Sequence, residues 1–337
     1  MGQADKDIAT VIDDLTTTDI GGRDTIYPIS DAARERQGDA ASMQAAERLF
    51  DAVDPGDAVL VLTGFLIPPT MVQETDGPLG AVSVARAVDA ALDANPILAC
   101  EPAALDVCEA TATAGELSVL DRETAAESKR TVAVEEFPAD REAAEAYVDD
   151  LLTEVDPAAV VAVEKVAPNA EGVYHNMVGY DVSEKTAKVD VLYDRLPDDV
   201  LTVSVGDAGN EVGMGLVQDV VADEIEYGSQ CQCGCGGGIA SDIETDLLVP
   251  ATVSNWGGHA IAACLSHLTE TPVLHEPEVE RRMLEQASAA GSIDGIVGGT
   301  NAWCDGMPPD AHEALLRLIR EVLGSSVHSR GGGELGR

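Results

Sequence analysis

The 337 residues carry 61 Asp and Glu against 20 Lys and Arg, a formal net charge of −41. A chain this acidic lacks the basic patches that neutralise phosphates, which excludes an ordinary nucleic-acid binder. Its 45% hydrophobic content excludes a disordered chain, and no apolar run approaches the ~20 residues that span a bilayer.

Aromatic residues make up only 3% of the chain, so the core must come from Ala, Val, Leu and Ile, as helices packed on strands. At about 1 M salt the Debye length is roughly 3 Å, and the self-repulsion of so acidic a surface is screened. The charge therefore reads as that of a halophilic protein in a salt-rich cytosol. The alternative is an acidic surface for cations or a basic partner.

Residues 1–9 are polar, with neither an apolar signal region nor an Arg-rich amphipathic stretch, so a cytoplasmic location is expected. Residues 1–55 read as an N-terminal helical cap: a helix, a turn at Gly21 and Gly22, and a second helix ending near Val53. Over 56–323 apolar β-type runs alternate with amphipathic helical stretches, which predicts an α/β domain with a mostly parallel sheet flanked by helices on both faces. The strands are predicted at 58–62, 96–99, 132–134, 159–163, 201–205, 247–250 and 293–297. Helices are predicted at 80–94, 140–152, 213–225, 257–268, 277–289 and 309–323. Residues 324–337, rich in Gly and Ser, read as a disordered tail.

In such sheets ligands bind beyond the carboxyl ends of the strands, where loops converge and helix N-termini present N–H groups. The first strand is followed by Thr63-Gly64-Phe65 and then Glu74-Thr75-Asp76-Gly77-Pro78. Helix capping by Thr75 or Asp76 explains one polar residue there, not the whole stretch. Glu164-Lys165 ends the strand at 159–163, where a carboxylate is either a ligand or solvated.

The sharpest signal follows 201–205: Gly206-Asp207-Ala208-Gly209-Asn210-Glu211-Val212-Gly213-Met214-Gly215. Its glycines let backbone approach a ligand, and Asp207, Asn210 and Glu211 are hard oxygen donors of the kind Mg²⁺ and Mn²⁺ prefer. A glycine turn with an acidic cap is the alternative, and neither a Walker loop nor a dinucleotide fingerprint is present. Asp242, Glu244 and Asp246 precede the next strand, and Ser254-Asn255-Trp256-Gly257-Gly258 follows it. Ser254 or Asn255 can cap the helix that starts there, and Asn255 beside the paired glycines can equally hold an anionic group. Asp305-Gly306-Met307-Pro308 leads into the last helix, with His312 in its first turn.

Seven cysteines do not suit a secreted disulfide framework. Cys231-Gln232-Cys233-Gly234-Cys235 lacks the spacing of common zinc and iron–sulfur sites and has no accompanying histidine, so it reads as a flexible loop, with soft-metal binding or thiol chemistry as the alternative. His175, His259, His267, His275 and His328 read as surface or packing residues. Carboxylates delivered by several strand ends repel one another unless a cation binds or some are protonated. The expectation is a site for one or two divalent cations, Mg²⁺ or Mn²⁺ rather than Zn²⁺.

These residues carry a resemblance. Asp19-Ile20-Gly21-Gly22-Arg23, Thr63-Gly64-Phe65, Glu74 to Pro78, Glu164, Tyr174-His175-Asn176-Met177, Gly206 to Gly215, Ser254 to Gly258 and Asp305 to Pro308 resemble the D-glutamate cyclase-like C-terminal domain family. That family occurs as stand-alone archaeal members and as the second half of a mitochondrial cyclase. The Cys231 to Gly238 stretch is not part of the pattern.

The resemblance implies a phosphoesterase-like α/β sheet and either of two activities. As a cyclase, a Mn²⁺ or Mg²⁺ ion on Glu164, Asp207, Glu211 and Asp242 would polarise the γ-carboxylate of D-glutamate, and a bent substrate pose would favour closure to 5-oxo-D-proline. Glu74 or Asp76 would take the ammonium proton, with Asn210 as a third catalytic candidate. Arg23 would hold the α-carboxylate, with Asn176, Gly209, Gly213 and Asn255 as further substrate contacts. As a phosphatase, the same ligands would act on a small phosphate ester cradled by the loop at 209–215. A non-catalytic, metal-dependent metabolite-binding module is the third reading. The expected partner is a small acidic metabolite, not nucleic acid or membrane, and a homo-oligomer stays open.

Overall fold

Three helices open the chain in the computed structural model, which describes residues 3–331: α1 (Gln3–Thr16), α2 (Ile26–Gln37) and α3 (Ala41–Ala52). They lead into β1 (Ala58–Gly64), a short hairpin of β2 (Leu66–Ile67) and β3 (Val72–Gln73), then α4 (Pro78–Leu92) and β4 (Asn95–Cys100). There follow α5 (Leu105–Ala114), β5 (Ser118–Leu120), α6 (Arg122–Ala126), β6 (Thr131–Glu136), α7 (Arg141–Glu154) and β7 (Ala159–Lys165). The remainder comprises α8 (Asp190–Tyr193), β8 (Leu201–Gly206), α9 (Gln218–Glu224), β9 (Leu247–Pro250), α10 (Ser254–Thr269), α11 (Pro277–Ala289) and α12 (Pro309–Gly331).

The main sheet runs β5-β6-β4-β1-β7-β8-β9, and every pair in it is parallel. Leu62 of β1 lies opposite Ala99 on one side and Ala162 on the other. The strands are apolar on both faces because both are covered. Val59, Val61, Leu98, Val161, Val163, Val203 and Val205 face a core shared with α1, α3, α4, α5, α10, α11 and α12. Leu60, Leu62, Ile97, Ala99, Val160 and Ala162 face a second core with Ala144, Val148 and Leu151 of α7. The chain builds β4, β6 and β5 on one side of β1, then returns to add β7, β8 and β9 on the other.

Six of the seven predicted strands form. The stretch at 293–297 does not: the Asp294 carboxylate accepts hydrogen bonds from the N–H groups of Ile296 and Val297, both at 2.7 Å, and so supplies the partner a ladder would have given. β5, three residues long, escapes the apolar pattern. The helix expected over 213–225 is a 3₁₀ turn, Met214–Val217, continued by α9.

The N-terminal helices pack on the sheet as the expected cap, and they straddle the β9 edge. α1 and α3 belong to the first core, while α2 packs on Leu248 on the opposite face. The Gln37 side chain closes that edge, accepting from Leu248 N–H at 3.0 Å and donating to its carbonyl. The tail expected at 324–337 is helical as far as Gly331, and 332–337 lie outside the described residues, as does the His328 side chain. No described helix is long and apolar enough to cross a membrane.

Candidate active site

The ends of β1, β7 and β8 converge on a cluster of six carboxylates: Glu74, Asp76, Glu164, Asp207, Glu211 and Asp305. The hairpin after β1 returns the chain so that Glu74 and Asp76 stand ahead of α4. Glu164 leaves β7 with a left-handed backbone, φ 47°, where the pairing with β1 is irregular, and Asp305 also has a positive φ of 52°. Such conformations cost energy in residues other than glycine and gather at functional sites. Asp207 joins two groups of facing oxygens, Glu164–Asp207–Glu211 and Asp76–Asp207–Asp305, each with its ligand atoms within 4.8 Å of one another.

Almost every carboxylate is held by a specific donor. Asp76 caps α10, accepting from the N–H groups of Ser254 and Asn255 at 2.8 Å each, and it also accepts from Gly77 N–H at 2.9 Å. Ser254 Oγ donates to Glu164 at 2.6 Å. The Glu211 carboxylate accepts from the N–H groups of Asp207, Ala208 and Gly209 at 3.2, 2.9 and 2.8 Å. The glycine-rich loop thus wraps around its own glutamate.

Among the described residues, one cation faces this cluster. Asp19 accepts from Gly22 and Asp24 N–H at 2.8 and 2.7 Å, and this turn aims Arg23 inward. Its Nη2 donates to Asp207 at 2.6 Å, to Asp305 at 3.0 Å and to the carbonyl of Thr252. Lys165, the next residue after Glu164, turns the other way into a buried pair with Glu101, both at most 1% exposed.

The imbalance shows in the acidities. Burial and the Asp207 charge push Asp76 up to about 7 and Glu211 up to about 8. Glu164 is held well above the usual carboxylate range by burial and by Asp207 and Glu211; Glu74 and Asp305 are raised chiefly by burial as well.

The sequence-predicted residues divide accordingly. Glu74, Asp76, Arg23, Glu164, Asp207 and Glu211 come together. Asp242 does not: it is exposed on the connection into β9, where its carboxylate accepts from Gln218 Nε2 at 3.1 Å. It precedes a strand, so it lacks the placement that residues after a strand share. Its place in the cluster is taken by Asp305, whose approach to Arg23 requires the fold of the 291–308 connection.

The Asn255 amide is taken up by the protein's own backbone. Its Oδ1 accepts from Gly77 and Gly80 N–H at 3.0 and 2.7 Å, and its Nδ2 donates to Thr75 O at 3.1 Å. The neighbouring Gly258 lets α10 approach α4 closely, since a Cβ there would strike the Gly80 backbone. Gly209 and Gly213 are likewise packing positions, where a Cβ would overlap Val221 and Ser204. Asn210 donates to the carbonyl of His175 at 2.8 Å, and Asn176 closes a turn by accepting from Tyr180 N–H at 2.9 Å. Ser254 was visible in the sequence only as a cap; its hydroxyl orients Glu164 instead.

A family model described as D-glutamate cyclase-like, C-terminal matches residues 12–320. Over 265 residues, 74% of this chain, the sequence is 29% identical to a Homo sapiens protein, D-glutamate cyclase, mitochondrial. The match takes up 38% of that relative, so the chain spans well under half of its length.

Proposed function

The chain belongs to the D-glutamate cyclase-like family, and from that membership we propose that it closes D-glutamate to 5-oxo-D-proline at the carboxylate cluster. The observation that carries the reading is five buried carboxylates and the partly buried Asp305 facing, among the described residues, a single guanidinium. Such a site suits a substrate with an ammonium group better than a phosphate dianion. A phosphate ester over the glycine-rich loop would need N–H groups that already serve Glu211, which favours cyclisation over the phosphatase reading.

A divalent ion, Mn²⁺ or Mg²⁺, belongs on Glu164, Asp207 and Glu211. The donor set fits: carboxylate oxygens alone, crowded together, with burial and the neighbouring negative charges raising Glu164 and Glu211. An ion bound there would make the substrate γ-carboxyl group more electrophilic.

The substrate amine attacks the carbon of its own γ-carboxyl group; a C–N bond forms, a C–O bond breaks, and the two protons lost from the ammonium leave in water with the carboxyl oxygen. Glu74 is the proton carrier. Asp76 is committed to three backbone N–H groups, whereas Glu74 is buried and held well above the usual carboxylate range, and so keeps a proton more readily than an ordinary carboxylate. Arg23 keeps Asp207 and Asp305 in place through one nitrogen and offers its remaining N–H groups to the α-carboxylate.

The test is a proton NMR time course with D-glutamate and Mn²⁺ in concentrated KCl, the paramagnetic ion being stripped from each sample before recording. Wild-type protein should make 5-oxoproline, and Asp207→Asn should lower the rate at least about 100-fold. No product from folded, Mn²⁺-loaded protein overturns the reading. Release of phosphate from small esters would then identify a phosphatase, and substrate binding without turnover a binding module.

A further inference from the structure

The loop after α9 gathers Cys231, Cys233 and Cys235, and the connection after β7 lays His175 against them. Cys231 Sγ lies 3.2 Å from Cys233 Sγ and 3.5 Å from Cys235 Sγ. His175 Nε2 lies 3.3 Å from Cys233 Sγ and 3.8 Å from Cys235 Sγ. All four ligand atoms fall within 4.8 Å of one another. The sequence offered no histidine near these cysteines; the fold supplies one from 58 positions upstream of Cys233.

The segment is built rather than slack. Gly234 and Gly236 take left-handed conformations, φ 84° and 103°, that fold the run back on itself, and Cys231 N–H closes it on the Gly237 carbonyl at 2.9 Å. Gln232 N–H donates to Gly179 O at 2.9 Å, and Asn169 Nδ2 to Gly238 O at 2.8 Å. His175 is 1% exposed, yet its Nδ1 has no partner and its Nε2 meets only sulfur among the described residues. Buried imidazole nitrogens ordinarily find oxygen or nitrogen partners, and a thiol is a poor substitute.

We infer that Cys231, Cys233, Cys235 and His175 form a closed tetrahedral site for one soft divalent cation of the Zn²⁺ class, separate from the carboxylate cluster. With metal–sulfur bonds of about 2.3 Å and metal–nitrogen bonds of about 2.0 Å, a tetrahedron separates its sulfurs by about 3.8 Å and sulfur from nitrogen by about 3.5 Å. The distances here need shifts of a few tenths of an ångström, on an edge that an ion can reach because Cys233 is exposed. Thiolate with imidazole selects this class of metal, as carboxylate alone selects Mg²⁺ or Mn²⁺. The buried group His259–Glu280–His275 does not call for an ion, since each histidine Nε2 already pairs with a Glu280 oxygen, at 3.2 and 2.8 Å.

Four protein ligands leave no open position, so the site is structural. Asn210 of the Asp207–Glu211 loop donates to the backbone carbonyl of His175, and the ion therefore steadies a strut of the catalytic cluster.

The experiment is metal analysis of the whole chain after loading with Zn²⁺ and dialysis against EDTA, followed by Co²⁺ replacement. About one zinc per chain should survive dialysis, and Co²⁺ should give thiolate-to-metal charge-transfer absorption. Cys233→Ser should lose both while keeping its circular dichroism, and Asp207→Asn should keep both. Should Cys233→Ser fail to fold, titration of wild-type protein with a mercurial gives the same answer: release of one zinc supports the site. Wild-type protein that retains no zinc, zinc that survives in Cys233→Ser, or zinc lost from Asp207→Asn overturns the inference.

Discussion

At the ends of β1, β7 and β8, carboxylates are met by helix N–H groups, a serine hydroxyl, a guanidinium and the backbone of their own loop. Around Cys231, Cys233 and Cys235, the sulfurs meet chiefly one another and an imidazole, with the Asn169 amide and the Gly237 carbonyl at Cys235. Charged oxygen atoms cannot be left unpaired in the interior, so the fold must supply donors before any ion arrives, and the cluster is organised in advance. Thiols tolerate poor partners, so a loop whose backbone is already set can wait for an ion to complete its ligands. Preparation of that kind suits turnover, and completion by the ion suits scaffolding.

Several experiments press on this contrast. The largest effect should come from removing salt. Below roughly 0.5 M KCl the −41 charge is poorly screened, and the circular dichroism of the fold should collapse; spectra unchanged on dilution would defeat that expectation. Replacing Lys165 should come next. Lys165→Met leaves Glu101 charged in the interior and should cost about 3–5 kcal/mol, read as a lower urea midpoint at fixed salt. A midpoint within about 0.5 kcal/mol of wild type would mean that the pair does not anchor the end of β7 to β4. Asp207→Asn should then abolish most turnover while sparing zinc, and Cys233→Ser should do the reverse at first order. The smallest effect should be that of Asn210→Ala, which removes the strut between the two clusters: roughly tenfold lower turnover with zinc retained. Unchanged turnover in that variant would show that the clusters are independent.

The strand positions were readable because runs of Val, Leu and Ile are closed by Gly, Pro or acidic residues, as at β1, β7 and β8. The carboxylates after those strands were readable for the same reason: in a parallel sheet, position after a strand is itself a location. Asp242 misled because an acidic run before a strand looks the same in one dimension. Asp305 was quoted but given no role, because the 293–297 stretch resembles a strand until the side chain of Asp294 is seen to satisfy its N–H groups. His175 could not be assigned to the cysteines, since only the folded connection after β7 brings it there. The glycines of the 206–215 loop suggested a cradle for a ligand, and Glu211 turned out to lie in it.

Arg23 reaches Asp207 across 184 positions of chain and Asp305 across 282. Contacts of such separation are rewarded only after most of the intervening chain has collapsed, because loop closure is costly before any neighbour is in place. A ribosome making this protein must therefore release the chain through Asp305 before the guanidinium meets its last carboxylate. On refolding from urea, the helical signal should return before catalytic turnover does. Turnover then marks the end of assembly, and helicity only its start.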